Sequence, residues 1–457
     1  MIPLLNLLLS LPCFSTVIES EYPQLFSYSK ETGSGYMTLG NLSSSWGGVP
    51  HLVTYTFDEY GMISSQTTAS FPGALQNATD VQDGMVVVCS DSDNGVVRVA
   101  GIDETGSENW LTVFAGEFAE NAVVRDSGSD ILLAGNDAEA LRIARLNYSG
   151  EVLWSIPYPE IDLSVCDISA YNGDIYVLCQ VEQSSWDRGI SILVLNETGG
   201  DPQLFAVGLP AWRYSPVSIE ADPRGLFILA NVMTEENNMI YESMLLKLNY
   251  FMEIQWAGSR NGTSWERGTD LLLLNEGFTV CGWTNSLSFS ESNRSDLFVC
   301  NYDENGELLW DRTHGTSSTD YGLDVSQVSD GGFLFSGCVT EEFYKGWLLK
   351  TDSLGFLVPQ GFENPANPSF SAVLTSNPLR SGALSFTVNC TESRMLEISI
   401  FDIAGRIVTE TSSTVQSGES TVDIVHSLPP GIYSVRILLP TEDREICLRA
   451  VVPGGGK

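Results

Sequence analysis

The chain has 457 residues, 43% of them hydrophobic, enough for two or three domains or for one large β domain with an appendage. Its 58 acidic and 22 basic residues give a formal charge of −36, and only five residues are lysine. Phosphate binding needs clustered Lys and Arg, so this balance excludes a nucleic-acid partner and leaves cations, solvent and basic surfaces as natural partners. Such a charge also keeps a protein soluble and dispersed.

Residues 1–20 begin MIPLLNLLLSLPCFST, an apolar stretch of roughly a dozen residues that suits the core of a signal peptide and is too short to span a membrane. Ser15 and Ser20 offer cleavage points. Cys13 follows Ser10, Leu11 and Pro12, a poor lipobox. No later stretch reaches the ~20 apolar residues of a spanning helix, so the mature chain is expected to be soluble, without a transmembrane segment.

From there to residue 358 one pattern recurs. It reads FDEYG at 57–61, IDETG at 102–106, LNYSG at 146–150, LNETG at 195–199, LNYFM at 248–252, YDENG at 302–306 and TDSLG at 351–355. Successive Asp or Asn positions are 44 to 54 residues apart, and Trp110, Trp154, Trp256 and Trp310 each follow four residues after a glycine or its substitute Met252. A second set of turns alternates with the first and leads into short apolar runs such as VVVCS, ILLAG and IYVLC, bounded by Gly, Asn and Asp as strands are. About four strands per period, with no helical pattern, predict an all-β fold: a β-propeller over 21–358 with seven blades, six or eight also fitting the count. IDETGSENW at 102–110 and YDENGELLW at 302–310 resemble the turn-plus-Trp motif of the pyrroloquinoline-quinone-like and WD-type repeat class of bacterial extracellular propellers, in which the Trp docks adjacent blades. That resemblance speaks for architecture, since propellers host many unrelated functions.

PQGFENPANPSF, 359–370, reads as a linker. Residues 371–457 alternate apolar and polar positions in six or so short runs, predicting an immunoglobulin-like β-sandwich. Asn377-Pro378, the turn IFDIAGRIV with Asp402, Gly405 and Arg406, and LPPGIYSVRI with Gly431 and Tyr433 resemble the C-terminal sorting domain of type IX secretion cargo. The resemblance implies that the outer-membrane translocon is a partner, that this domain is commonly removed, and that the cargo is released or anchored to lipopolysaccharide. Cleavage is expected in 359–370.

Candidate chemistry is sparse. His51, His314 and His426 lie far apart and match no metal spacing, a GxSxG elbow is missing, and His314 is the one candidate base for a triad built across blades. Quinone dehydrogenases use a vicinal cysteine pair, and no two cysteines here are adjacent. SDSDNG at 90–95 offers Asp91, Asp93 and Asn94 to calcium but lacks the closing Glu of an EF-hand loop and reads more simply as a hairpin turn. Cys166 and Cys179 flank an NG turn symmetrically, and Cys390 and Cys447 are the two cysteines of the C-terminal module, so both pairs are candidate disulfides. The expectation is a monomeric surface or extracellular protein that binds an unidentified ligand or plays a structural role, with no catalytic, cofactor or metal residue assigned. The alternatives are a hydrolase or lyase with carboxylates gathered at one end of the channel, and a calcium-dependent adhesin. Carboxylates roughly 5–10 Å apart there would favour a glycosidase, and a mouth lined with aromatics and amides would favour binding.

Overall fold

The computed structural model describes residues 13–18, 24–42, 50–91, 93–118, 120–137, 140–159, 161, 163–184, 187–208, 212–234, 241–260, 265–285, 294–316, 318–341, 343–357, 370–374, 384–390, 392–401, 407–424, 428, 431–439 and 444–452. The chain divides into two compact units, one of them Ser15–Gly355 and the other built mainly from 356–457.

In the first unit, turns of Asp, Asn and Gly fold each period into one antiparallel four-stranded sheet, and there are seven such sheets. The predicted propeller and its blade count are therefore observed. The inner strands are Gln24–Thr32, Ala74–Val81, Glu120–Asp126, Ser164–Tyr171, Trp212–Asp222, Glu266–Leu274 and Thr319–Gln327, for blades 1 to 7 in that order. Each carries a bulge near its start, as between Val165 and Asp167 or Gly268 and Asp270. The middle strands are apolar almost throughout, as in Met85–Cys89, because both faces of a blade are covered by its neighbours. The outer strands are exposed at most positions, as in Ile63–Pro72. No blade can bury its faces alone, so the core lies between blades. One cluster joins Tyr176, Leu178 and Ile192 of blade 4 to Ile219, Ile228 and Leu246 of blade 5, and comparable clusters fill other interfaces.

The seventh blade takes its outer strand from the N-terminus. Phe14–Val17 pairs with Tyr344–Thr351, and the Ile18 amide donates to the Gly346 carbonyl at 2.9 Å. Trp347 Nε1 donates to Ser15 Oγ at 2.9 Å, and Thr16 Oγ1 to the Gly61 carbonyl of blade 1, also at 2.9 Å. Thr112 in the outer strand of blade 2 makes the equivalent bond to Gly150 at 2.5 Å. The propeller unit thus takes in residues that the leader reading assigns to 1–20.

The Asp-x-x-Gly turns are mechanical parts. Asp303 Oδ1 accepts the amides of Asn305 and Glu307 at 2.8 and 2.9 Å, and Gly306 turns the chain at φ +84°. Trp256 of the preceding blade lies 3.0 Å from where a Cβ on Gly306 would sit, and Trp310 covers Gly355 of the next blade in the same way. Blade 4 lacks the tryptophan, and the turn it would cover holds Met252 instead of Gly, at φ +62°. Gly150 is both at φ +80° and pressed under Trp110, so Gly150→Ala should cost about 2 kcal/mol from backbone strain and displacement of the ring. Urea denaturation followed by tryptophan fluorescence measures this, and an unchanged midpoint would contradict the docking role.

In the second unit, Phe370–Leu374, Leu384–Cys390 and Gly418–Ile424 form a three-stranded sheet. Ile407–Val415, Arg394–Phe401, Gly431–Leu439 and Arg444–Val452 form a four-stranded one. Phe386 and Val388 of the first share a core with Leu396, Ile398, Val435 and Ile437 of the second, which makes the module a two-sheet sandwich.

Candidate functional site

The inner strands bring side chains of many blades to one axis, and their first duty is holding the ring together. Each of the seven interfaces has one Asn or Asp whose side-chain oxygen accepts a main-chain amide from the next blade's inner strand. In blades 1, 3 and 5 it is an asparagine in the last part of the second strand: Asn41 to Leu75 at 2.6 Å, Asn136 to Val165 at 2.9 Å and Asn231 to Gly268 at 2.8 Å. In blades 2, 4, 6 and 7 it is the residue after the inner-strand bulge: Asn77 to Val124 at 2.8 Å, Asp167 to Ile219 at 2.9 Å, Asp270 to Val325 at 3.0 Å and Asp324 to Ser29 at 2.8 Å. The bulge re-aims that side chain toward the neighbouring blade and leaves the facing amide in need of a partner. Sequence reasoning assigned none of these seven residues.

Three of the carboxylates in the channel wall, Asp167, Glu220 and Asp270, lie in the field of one cation. Arg125 of blade 3 donates to Asp167 of blade 4 at 3.1 and 3.3 Å and reaches Glu220 of blade 5 at 2.6 Å. Burial pushes Glu220 up to about 7 although Arg125 pulls it down. Burial also lifts Asp270 to about 6, against the amides of Val325 and Leu271 and the charge of Arg125. Asp324 is raised well above the carboxylate range, first by burial and then by Asp270. Tyr28 is raised by burial and by Asp324, Asp270 and Asp167, so blades 1, 4, 6 and 7 meet electrostatically at the axis.

A different surface lies at the end where the inner strands begin. Tyr241, just before the third strand of blade 5, packs edge-on to Trp265 with ring centres 5.4 Å apart. Trp265 stacks near Trp283 at 6.5 Å, and Trp283 meets Tyr321 of blade 7 edge-on at 5.5 Å. Arg267, cross-strand partner of Trp283, lies over Tyr241 at 4.9 Å and toward Trp283 at 5.9 Å. The pair equivalent to Arg267 and Trp283 is Leu25 and Asn41 in blade 1, Ala74 and Ser90 in blade 2, Ser164 and Gln180 in blade 4, and Ser215 and Asn231 in blade 5. Aromatic and guanidinium groups are therefore concentrated in one sector. Trp283 takes the place that the latch asparagine holds in blades 1, 3 and 5, because in blade 6 Asp270 does the latching.

The residues singled out by sequence come apart. His314 is in the outer strand of blade 6 with Nε2 3.0 Å from the Gly355 carbonyl, and burial drops its pKa to about 4. It is neutral at physiological pH and far in the fold from the channel strands. His51 starts the third strand of blade 1, and His426 lies outside the described residues. Both oxygens of Asp91 accept the Asn94 amide, at 3.1 and 3.0 Å, and Arg98 stands 3.7 Å away, as a self-contained turn requires. No cluster of three or more metal-binding side chains exists among the described residues.

Cys166 and Cys179 are free thiols. Symmetric spacing around the NG turn suggested a bridge, but the register pairs Cys179 with Val165 and leaves Cys166 as the extra residue of the bulge. Burial pushes the Cys89, Cys166, Cys300 and Cys338 thiols up to about 12, which makes them poor nucleophiles. Cys390 is a buried free thiol whose Sγ donates to the Gln416 carbonyl, and the side chain of Cys447 lies outside what is described. Of the sorting motif, Asn377, Pro378, Asp402, Gly405 and Arg406 fall outside the described residues, Gly431 opens a strand, and Tyr433 is buried in the sandwich core.

No curated protein matches the chain. Among solved structures, the β-propeller domain of the trilobed protease from Pyrococcus furiosus is 8% identical, covers 74% of this chain and 97% of its own, and superposes with a TM-score of 0.46. Apo AztD from Citrobacter koseri is 10% identical, with 90% and 98% covered and a TM-score of 0.41. Residues 377–444 match the secretion system C-terminal sorting domain, so the chain ends in a type IX sorting module and is a protein exported to the cell surface or the extracellular space.

Proposed function

We propose that the C-terminal module, an immunoglobulin-like sandwich, presents the protein to the type IX outer-membrane translocon, and that the propeller then works outside the cell by binding a ligand at the aromatic end of its channel. The row from Tyr241 through Trp265 and Trp283 to Tyr321 carries this reading, because large rings gathered at one mouth supply contact area at low entropic cost. The channel carboxylates favour it over hydrolysis, since Asp167, Asp270 and Asp324 are engaged as inter-blade acceptors and Glu220 by Arg125. A binding protein returns its ligand intact, whereas recovery of a cleaved or unsaturated product would make it a hydrolase or lyase.

For the address, residues 359–457 fused to a fluorescent cargo in a type IX-competent host should send the cargo out of the cell. Cargo retained in the periplasm would refute it. Processing of the leader upstream of Phe14 is the arrangement that keeps blade 7 complete, and the mass of the secreted N-terminal peptide reports it. The turn at Asp91 supports no role for calcium, so EDTA should leave the melting temperature unchanged. A chelator-sensitive melt would restore the calcium-dependent adhesin.

A further inference from the structure

We infer that the mouth formed by blades 5 to 7 recognises a carboxylate-bearing sugar, with the pyranose ring on Trp265 and Trp283 and its carboxylate on Arg267. This rests on the binding reading above and specifies its ligand.

The chain holds 58 acids, and in this setting a cation without an acidic partner needs a reason. Arg98, Arg125, Arg142, Arg145, Arg224 and Arg260 all pair with carboxylates. Arg267, half-buried, has no carboxylate partner and no side-chain hydrogen bond among the described residues; its described contacts are the rings of Tyr241 and Trp283. Nearby acids are spent elsewhere: Glu266 on Arg260 and the Thr284 hydroxyl, Asp320 on Thr316. Contact with two rings restrains the guanidinium, while its N–H donors make no hydrogen bond among the described residues. A planar fork held in advance is what bidentate carboxylate recognition requires.

The rings beside it define the rest of the ligand. Trp265 is 39% exposed, and Trp283 lies next to it at an interplanar angle of 25°, so the two offer roughly parallel faces. The electron-rich face of an indole attracts the partly positive axial C–H bonds of a pyranose as it attracts other positive edges. The charge of −36 sets a limit on this ligand: a long polyanion is repelled, and a short oligomer with few carboxylates is favoured. Screening within about 8 Å at physiological ionic strength weakens the pull of distant acids on a ligand and lets Arg267 act locally.

The test uses the purified full chain and trigalacturonate, read by quenching of tryptophan fluorescence and by calorimetry. Binding is expected to weaken with added salt, to fall roughly tenfold or more in Arg267→Gln, and to fall similarly when the sugar is fully methyl-esterified. Trp265→Ala, at an exposed site, should weaken it while leaving the urea midpoint near that of the parent. Absence of quenching and heat with both trigalacturonate and an alginate trimer up to millimolar concentration would overturn the inference. Equal binding of neutral cellotriose, indifferent to Arg267→Gln, would overturn the acidic class while leaving ligand binding at the mouth intact. Tighter binding of tri-glutamate than of either sugar would assign the site to peptides instead.

Discussion

Asp167→Ala should destabilise the propeller by about 3–5 kcal/mol, the range for removing one partner of a buried ion pair and stranding what it held. The Asp167 side chain is 6% exposed and accepts from Arg125, the Ser218 hydroxyl and the Ile219 amide. Alanine leaves that amide unsatisfied at the interface of blades 4 and 5 and leaves Arg125 with Glu220 and the Ile168 carbonyl. Asp167→Asn keeps an oxygen for Ile219 and loses the charge, so its cost should be smaller, about 1–2 kcal/mol. All ten tryptophans precede residue 348, so fluorescence during denaturation reports on the propeller and not on the C-terminal module. Alanine and asparagine shifting the midpoint equally would show that the pairing with Arg125, and not the latch, is what the residue supplies. No shift with either would remove the latch from the account.

The latches show where sequence reading stopped. The Asp-x-x-Gly repeat was legible because one tight turn needs a side-chain acceptor and a residue free to take positive φ, and Trp256 over Gly306 makes that requirement repeat from blade to blade. The phase of the blades was not legible, since it depends on residues 14–17, which have the composition of a leader and turn out to pair with Tyr344–Thr351. Asn41, Asn136 and Asn231 each end an apolar run, YMTLGN, ILLAGN and LFILAN, and this shared ending was a usable signal. An asparagine after a strand reads as turn material, so its reach to the next blade went unread. Asp167, Asp270 and Asp324 gave less warning, because a bulge decides where they point and a bulge has no local signature in these strands. The aromatic mouth was hidden for a similar reason. Tyr241 and Tyr321 are 80 residues apart, and the cross-strand register that puts Trp283 opposite Arg267 exists only once the sheet is formed.

The same wall of carboxylates should make the propeller less stable as pH rises through the mildly acidic range. Asp270 is raised to about 6 and Glu220 to about 7, in both cases first by burial, and Asp324 is raised by burial and by Asp270. Unfolded carboxyls titrate near 4. Between about 4 and 7 the folded state therefore binds more protons than the unfolded one, and stability falls with pH. The contribution is complete below the unfolded value and is lost as pH climbs through the folded values. Exposed turn acids work in the opposite sense: Asp303 is held low by the amides of Glu307 and Asn305, and its contribution is lost as pH falls below the ordinary range. The two limbs place the optimum near pH 4–5, with a decline of about 2 kcal/mol from pH 5 to 7.5 once part of the burial is discounted. Asp270→Asn separates this cause from general charge repulsion. It keeps an acceptor for the Val325 amide, removes one titrating group and relieves Asp324 of its charged neighbour, so the decline should become shallower, with the part owed to Glu220 retained, while the net charge changes by one unit. A variant with the same slope as the parent would assign the pH dependence to general repulsion within a chain of charge −36.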